Sequence, residues 1–192
     1  MTTTAELIDA RYGVPGNGDT PDPLPETITR ILGRRCIRRY SDKAIPDDLL
    51  DVLLACAQSA PTKSNLQQYS IIVTTDHDRL MKLAELNPDT GHMKYCPVFL
   101  TFCADMRRAK RITENHGYTY ASNNMDSFLN ATVDAAMAMQ CFVTAAESVG
   151  LGCAPISQVR NRMTEFCDAL TIPDGVFPIA GLTLGWPDWE GR

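Results

Sequence analysis

Residues 125–149, MDSFLNATVDAAMAMQCFVTAAESV, constrain the fold more than any other part of the chain. Alanine, methionine, phenylalanine and valine dominate this stretch, and neither proline nor glycine interrupts it, so it reads as one long helix. Small side chains let neighbouring elements approach closely. The segment is therefore expected to be the central packing helix, with a subunit contact as a further use of the same surface. Asp134, Gln140 and Glu147 interrupt the most apolar part, residues 131–149, so no run of 18 apolar residues exists to span a membrane. The rest of the chain has to be arranged around this helix.

Shorter elements follow from local signals. A first helix is expected over residues 4–11, then a loop from Gly13 to Pro25 whose four prolines and three glycines forbid helix. A helix over residues 26–33 leads into an extended basic segment ending at Tyr40. Pro46, Asp47 and Asp48 mark the start of the next helix, because proline suits the first turn and acids suit the positive end of the helix dipole. Leu49, Leu50, Leu53, Leu54 and Ala57 share its apolar face, and Pro61 stops it beyond Ser59. Strands are expected at 69–74, 97–103 and 177–184, with extended chain at 151–156. Helices are expected at 76–86, after Asp105 and at 160–170, with a polar loop at 115–124. The order implies one α+β domain over 1–192 in a three-layer arrangement.

At 192 residues the chain is long enough to bury a core without disulfides or structural metal. Seven scattered cysteines, odd in number and never spaced CxxC, point to a reducing, cytoplasmic setting. Three histidines without HxH or HExxH spacing argue against zinc. The first ten residues lack the basic and apolar regions of a signal peptide. With 18 Lys plus Arg against 23 Asp plus Glu, the net charge of −5 argues against a general nucleic-acid or anionic-membrane binder. No GxGxxG or GxxxxGK[ST] follows any strand, so neither a dinucleotide fingerprint nor a P-loop is present.

Three stretches could carry chemistry. Between Arg30 and Lys43 lie six basic residues and one acid, and in extended chain Arg34, Cys36 and Arg38 share one side while Arg35 and Arg39 share the other. Guanidinium groups hold phosphate or carboxylate bidentately, so the stretch is either an anion site or a solvated basic turn. The loop APTKSNLQQ, residues 60–68, offers Thr62, Ser64, Asn65 and Gln67 to a polar heterocycle or sugar chain, or is an ordinary helix-to-strand connection. GLGCAPISQVRN, residues 150–161, and GLTLGWP, residues 181–187, place glycines where a backbone approaches a flat ligand, or simply where strands end.

Taken together and in this order, RRCIRRY, APTKSNLQQ, the alanine-rich helix, GLGCAPI and LGWP resemble the FMN-dependent nitroreductase family, closest to its oxygen-insensitive NAD(P)H nitroreductase and flavin reductase branch. The resemblance runs from about Glu26 to Pro187. It implies a mostly antiparallel central sheet flanked by helices, in a homodimer whose active sites lie at the interface. FMN would be the bound cofactor and NAD(P)H the electron donor, in ping-pong two-electron reduction of nitroaromatics, quinones or flavins. By motif position, Arg34 and Arg35 would hold the FMN phosphate, Cys36 would lie beside it where the family usually has Ser, and Arg38 would reach the pyrimidine end of the flavin. Thr62, Ser64 and Asn65 would contact the flavin of the other subunit, and Pro155, Ile156 and Ser157 would line its ring. Lys63 departs from the family pattern, as do Ser157 and Gln158 where the branch often has two glycines, and no catalytic acid, base or nucleophile is implied. Relatives within the fold also perform dehalogenation, flavin breakdown and ring dehydrogenation, and a non-enzymatic FMN-binding or interaction protein is the competing class. The branch carries a basic C-terminal extension beyond LGWP, whereas the sequence given stops at Arg192.

Overall fold

A computed structural model describes residues 3–14 and 24–189. Most of the Gly/Pro-rich loop, and the Arg192 terminus, lie outside the described residues. Seven α-helices and four strands follow in the order α1 (Thr4–Tyr12), α2 (Glu26–Gly33), α3 (Asp47–Gln58), β1 (Tyr69–Thr74), α4 (His77–Leu86), β2 (Val98–Asp105), α5 (Arg107–Asn115), α6 (Met125–Ser148), β3 (Gly152–Ile156), α7 (Met163–Leu170) and β4 (Val176–Gly185) among the described residues. Side-chain caps set several of these starts. Thr3 and Glu6 exchange hydrogen bonds at the head of α1, Asp76 accepts from Arg79 N at 2.9 Å, and Asn124 accepts from Ser127 N at 3.0 Å. The helix expected from Arg160 begins only at Met163. Residues 158–160 form a separate 3-10 turn, and Arg162 (φ −121°, ψ 61°) breaks the backbone between them.

The sheet is antiparallel throughout, in the order β1-β2-β4-β3. Alternation along β2 divides the core into two layers. Val98, Leu100 and Phe102 face α3 and α6, where they meet Leu50, Leu53, Ala57, Phe142, Val143 and Ala146. Phe99 points the other way, into Leu80, Leu83, Met93, Val159, Phe166 and Leu170 from α4, α7 and the segments beside them. Helices thus cover both faces of one sheet, which is the three-layer α+β arrangement expected. As expected, α6 packs through small residues: Ala131, Ala135, Ala138 and Ala146 are buried completely. Among the described residues, no helix is long and apolar enough to cross a membrane.

The basic segment is bound to β3. Ile37 N donates to Cys153 O at 3.0 Å, and Tyr40 forms an isolated bridge with Pro187. The Tyr40 hydroxyl lies 2.6 Å from Ile37 O, to which it donates, and 2.7 Å from Thr183 Oγ1, and burial pushes its pKa up. Gly152 makes this docking possible, because a Cβ there would stand 2.6 Å from Ile37 Cβ. Gly185 does the same for the Tyr40 ring, at 2.6 Å from Cδ1. The glycine-rich ends therefore receive the protein's own side chains.

Candidate functional site

The extended segment 34–39 lies beside the start of β3, where Ile37 N reaches Cys153 O, so Arg34, Arg35, Cys36 and Arg38 stand at the β3 side of the sheet, and Pro155, Ile156 and Ser157 follow at and just past that strand's far end. Cys36, Pro155 and Ser157 are exposed and Ile156 is buried. The arginines are not equivalent. Arg34 is held by Glu147 of α6 through Nε at 3.0 and 3.2 Å and Nη2 at 2.9 Å, and this carboxylate raises the guanidinium pKa. Two of its nitrogens are thus spent inside the protein. Arg35 is exposed and its Nη1 donates to Gly33 O and Arg34 O, whereas Arg38 is exposed with no ion pair among the described residues. Arg34 and Arg35 open onto a cleft of about 1000 Å³ with Glu147, Leu151 and Trp189. Arg38 opens with Tyr40, His77 and Lys94 onto another of about 570 Å³.

Two buried polar atoms near this edge lack a partner: His92 Nε2 and Gln158 Oε1. Burial, and then the positive charge of Arg38, depress the His92 pKa, so the neutral ring is favoured. Gln158 uses its Nε2 to reach Asp89 Oδ2 at 2.6 Å, which leaves its carbonyl oxygen without a donor. A buried polar atom without a partner in the protein can be satisfied by a water or a ligand; Thr74, Asn87, Thr101 and Tyr120 carry such atoms as well.

The loop carrying Thr62, Ser64 and Asn65 is elsewhere. It precedes β1, at the opposite edge of the four-stranded sheet from β3. Three strand spacings separate those edges by roughly 14 Å. The loop is a 3-10 turn over Lys63–Asn65 with left-handed backbone at Ser64 (φ 51°), Asn65 (φ 55°) and Gln67 (φ 50°). Left-handed conformations cost a non-glycine residue roughly 1–2 kcal/mol each, so something must hold them. Asp134 of α6, 1% exposed, accepts from Lys63 N at 2.9 Å and from Gln68 N at 3.1 Å. The structure therefore joins the first and third sequence motifs and separates the second. Sequence reasoning missed Glu147, His92 and Asp134 as site residues. For Asp134 and Glu147 the available signal was an acid within an alanine-rich helix, whereas His92 offered none.

Fold and segments together define a class: three-layer α+β proteins with a basic extended segment docked at one side of the sheet and a strained polar loop at the other. The chain belongs to the nitroreductase family, whose pattern it matches over residues 31–186. It is 38% identical over 166 residues to an FMN reductase [NAD(P)H] of Bacillus subtilis, covering 85% of this chain and 67% of the relative. It is 35% identical over 164 residues to an oxygen-insensitive NADPH nitroreductase of Salmonella typhimurium, with the same coverage of 85% and 67%. Among solved structures, NADPH:FMN oxidoreductase from Vibrio harveyi complexed with NAD+ superposes with a TM-score of 0.80 at 28% identity, over 88% of this chain and 73% of that one. The chain spans about two thirds of the length of the two curated relatives.

Proposed function

We propose that this protein is an FMN-dependent NAD(P)H oxidoreductase that reduces small acceptors such as nitroaromatics, quinones or flavins by two electrons, acting as a homodimer. Reduction with NAD(P)H or NADPH is what the names of these relatives share, and two of the three also carry FMN. The observation that carries the dimeric reading is the separation of two polar half-sites on opposite sheet edges of one chain. A second copy supplies the missing half. Its contact surface is the stripe Met125, Leu129, Val133 and Met137 on α6, 69%, 55%, 54% and 37% exposed and four residues apart, so all on one helix face. Seven free cysteines support a reducing, cytoplasmic location.

The residues fit FMN by their donor set and by the orphaned His92 and Gln158 atoms. Arg35 and the Nη1 edge of Arg34, unused by Glu147, would hold the phosphate, with Cys36 beside it. Arg38 would stand at the pyrimidine end, where a cation stabilises negative charge on the reduced ring. Pro155, Ile156 and Ser157 would line the ring, and Thr62, Ser64 and Asn65 would reach it from the other copy. Bound flavin supplies two-electron transfer between NAD(P)H and acceptor. The protein's part is to bind, orient and tune, which is why no acid or base side chain is assigned.

The test is reconstitution with FMN followed by desalting, then anaerobic addition of NADH and NADPH separately. A yellow protein bleached by either donor, and recoloured by an acceptor, supports the reading. A colourless desalted protein ends it, and bound flavin that neither donor reduces ends the reductase part.

A further inference from the structure

We infer that Asp134 is a positioning residue of the flavin site, holding the loop at residues 63–68 in its left-handed form. Both carboxylate oxygens are spent on that loop: Oδ1 accepts from Lys63 N at 2.9 Å and Oδ2 from Gln68 N at 3.1 Å. The two amides bracket the three left-handed residues Ser64, Asn65 and Gln67. Burying a carboxylate in a helix face otherwise made of Ala131, Ala135 and Ala138 is costly, and no lysine or arginine side chain pairs with it among the described residues. A requirement for core packing alone would be met by an apolar side chain. The carboxylate instead supplies two acceptors where the loop presents two donors.

The other side of the loop is tied independently. Arg108 Nη2 donates to Gln67 Oε1 at 2.9 Å, and Asp105 N donates to Gln68 O at 2.9 Å. The loop is thus clamped between α6 on one side and the β2–α5 junction on the other. Thr62, Ser64 and Asn65 are presented by a backbone that would relax without these anchors. The inference rests on the reading that this loop meets FMN. It adds that the α6 carboxylate, although it does not itself touch the cofactor, sets how tightly it binds.

Full-length wild type, Asp134→Asn and Asp134→Ala are titrated with FMN, and amide hydrogen exchange is followed in the proteins without added FMN. The asparagine variant preserves volume but replaces one acceptor by a donor facing an N–H. Expected are at least tenfold weaker FMN binding in both variants and faster exchange at the Lys63 and Gln68 amides, with exchange at Leu100 and Phe102 in β2 unchanged. Rescue is expected from loading at high FMN, where the wild-type visible spectrum returns. Affinity within twofold of wild type despite faster loop exchange overturns the inference. So does weaker binding with no change in loop exchange, and so does global unfolding of both variants, which would make Asp134 a core residue. Failure of wild type to bind FMN overturns instead the reading on which the inference rests.

Discussion

Glu147 and Arg34 lie 113 positions apart in the sequence and meet with 16% and 22% of their side chains exposed. Removing the carboxylate leaves a half-buried guanidinium with two unspent donors. Glu147→Ala is expected to cost about 1–3 kcal/mol, read as a lower denaturant midpoint at unchanged slope. The cysteines divide by environment. Burial pushes Cys96, Cys103 and Cys153 up to about 12, so their thiolates are absent at neutral pH, whereas Cys36 is exposed. Alkylation of the native protein followed by peptide mapping is expected to modify Cys36 and spare those three. Bound FMN should slow the modification of Cys36; an unchanged rate at saturating FMN would remove Cys36 from the proposed pocket. His92 gives a pH signature. Its folded pKa lies below the ordinary histidine value of about 6.5, so between the two the unfolded chain binds more protons and stability rises with pH. The contribution is complete above about 6.5 and is lost as pH falls through the folded value. His92→Gln is expected to flatten the fall in denaturation midpoint between about pH 7.5 and 5.5.

At the scale of elements, the docking of residues 34–40 on β3 depends on the absence of one side chain. Gly152→Ala would drive a methyl to 2.6 Å from Ile37 Cβ. The strain is expected to cost about 1–3 kcal/mol and to loosen the basic segment, and Ile37→Gly in the same chain, which removes the Cβ that is met first, should restore part of the loss. Equilibrium unfolding of the single and double variants measures both. The elements themselves were legible because apolar runs such as residues 69–74 and 97–103 are bounded by polar or helix-breaking residues, and those signals are local. Their partners were not. That Glu147 claims Arg34, or that Phe99, Ile37 and Tyr40 fill the space at Gly181, Gly152 and Gly185, follows from chain segments brought together only by the sheet order. The helix expected from Arg160 starts at Met163 because Arg160 belongs to a 3-10 turn and Arg162 leaves the helical backbone region.

For the whole molecule, the question is what covers the exposed α6 stripe. Val133→Glu places a charge in the middle of that face, 54% exposed in the single chain, and should leave the protomer folded. The expected outcome is a shift from dimer to monomer in sedimentation velocity, with FMN retention lost at the same time. A variant that stays dimeric, or a monomer that keeps FMN, would exclude this face or this arrangement of the site. The fold class is readable from element order; the assignment of Thr62, Ser64 and Asn65 to the other copy's flavin came through the family resemblance alone, because motif order along a chain does not reveal which edge each strand takes. The proposed half-sites on opposite edges carry a thermodynamic consequence. When the cofactor bridges two copies, loading and assembly draw on a single linked free energy, so each raises the apparent affinity of the other by mass action. Dilution alone would then release flavin, and the colour of the solution would report its protein concentration.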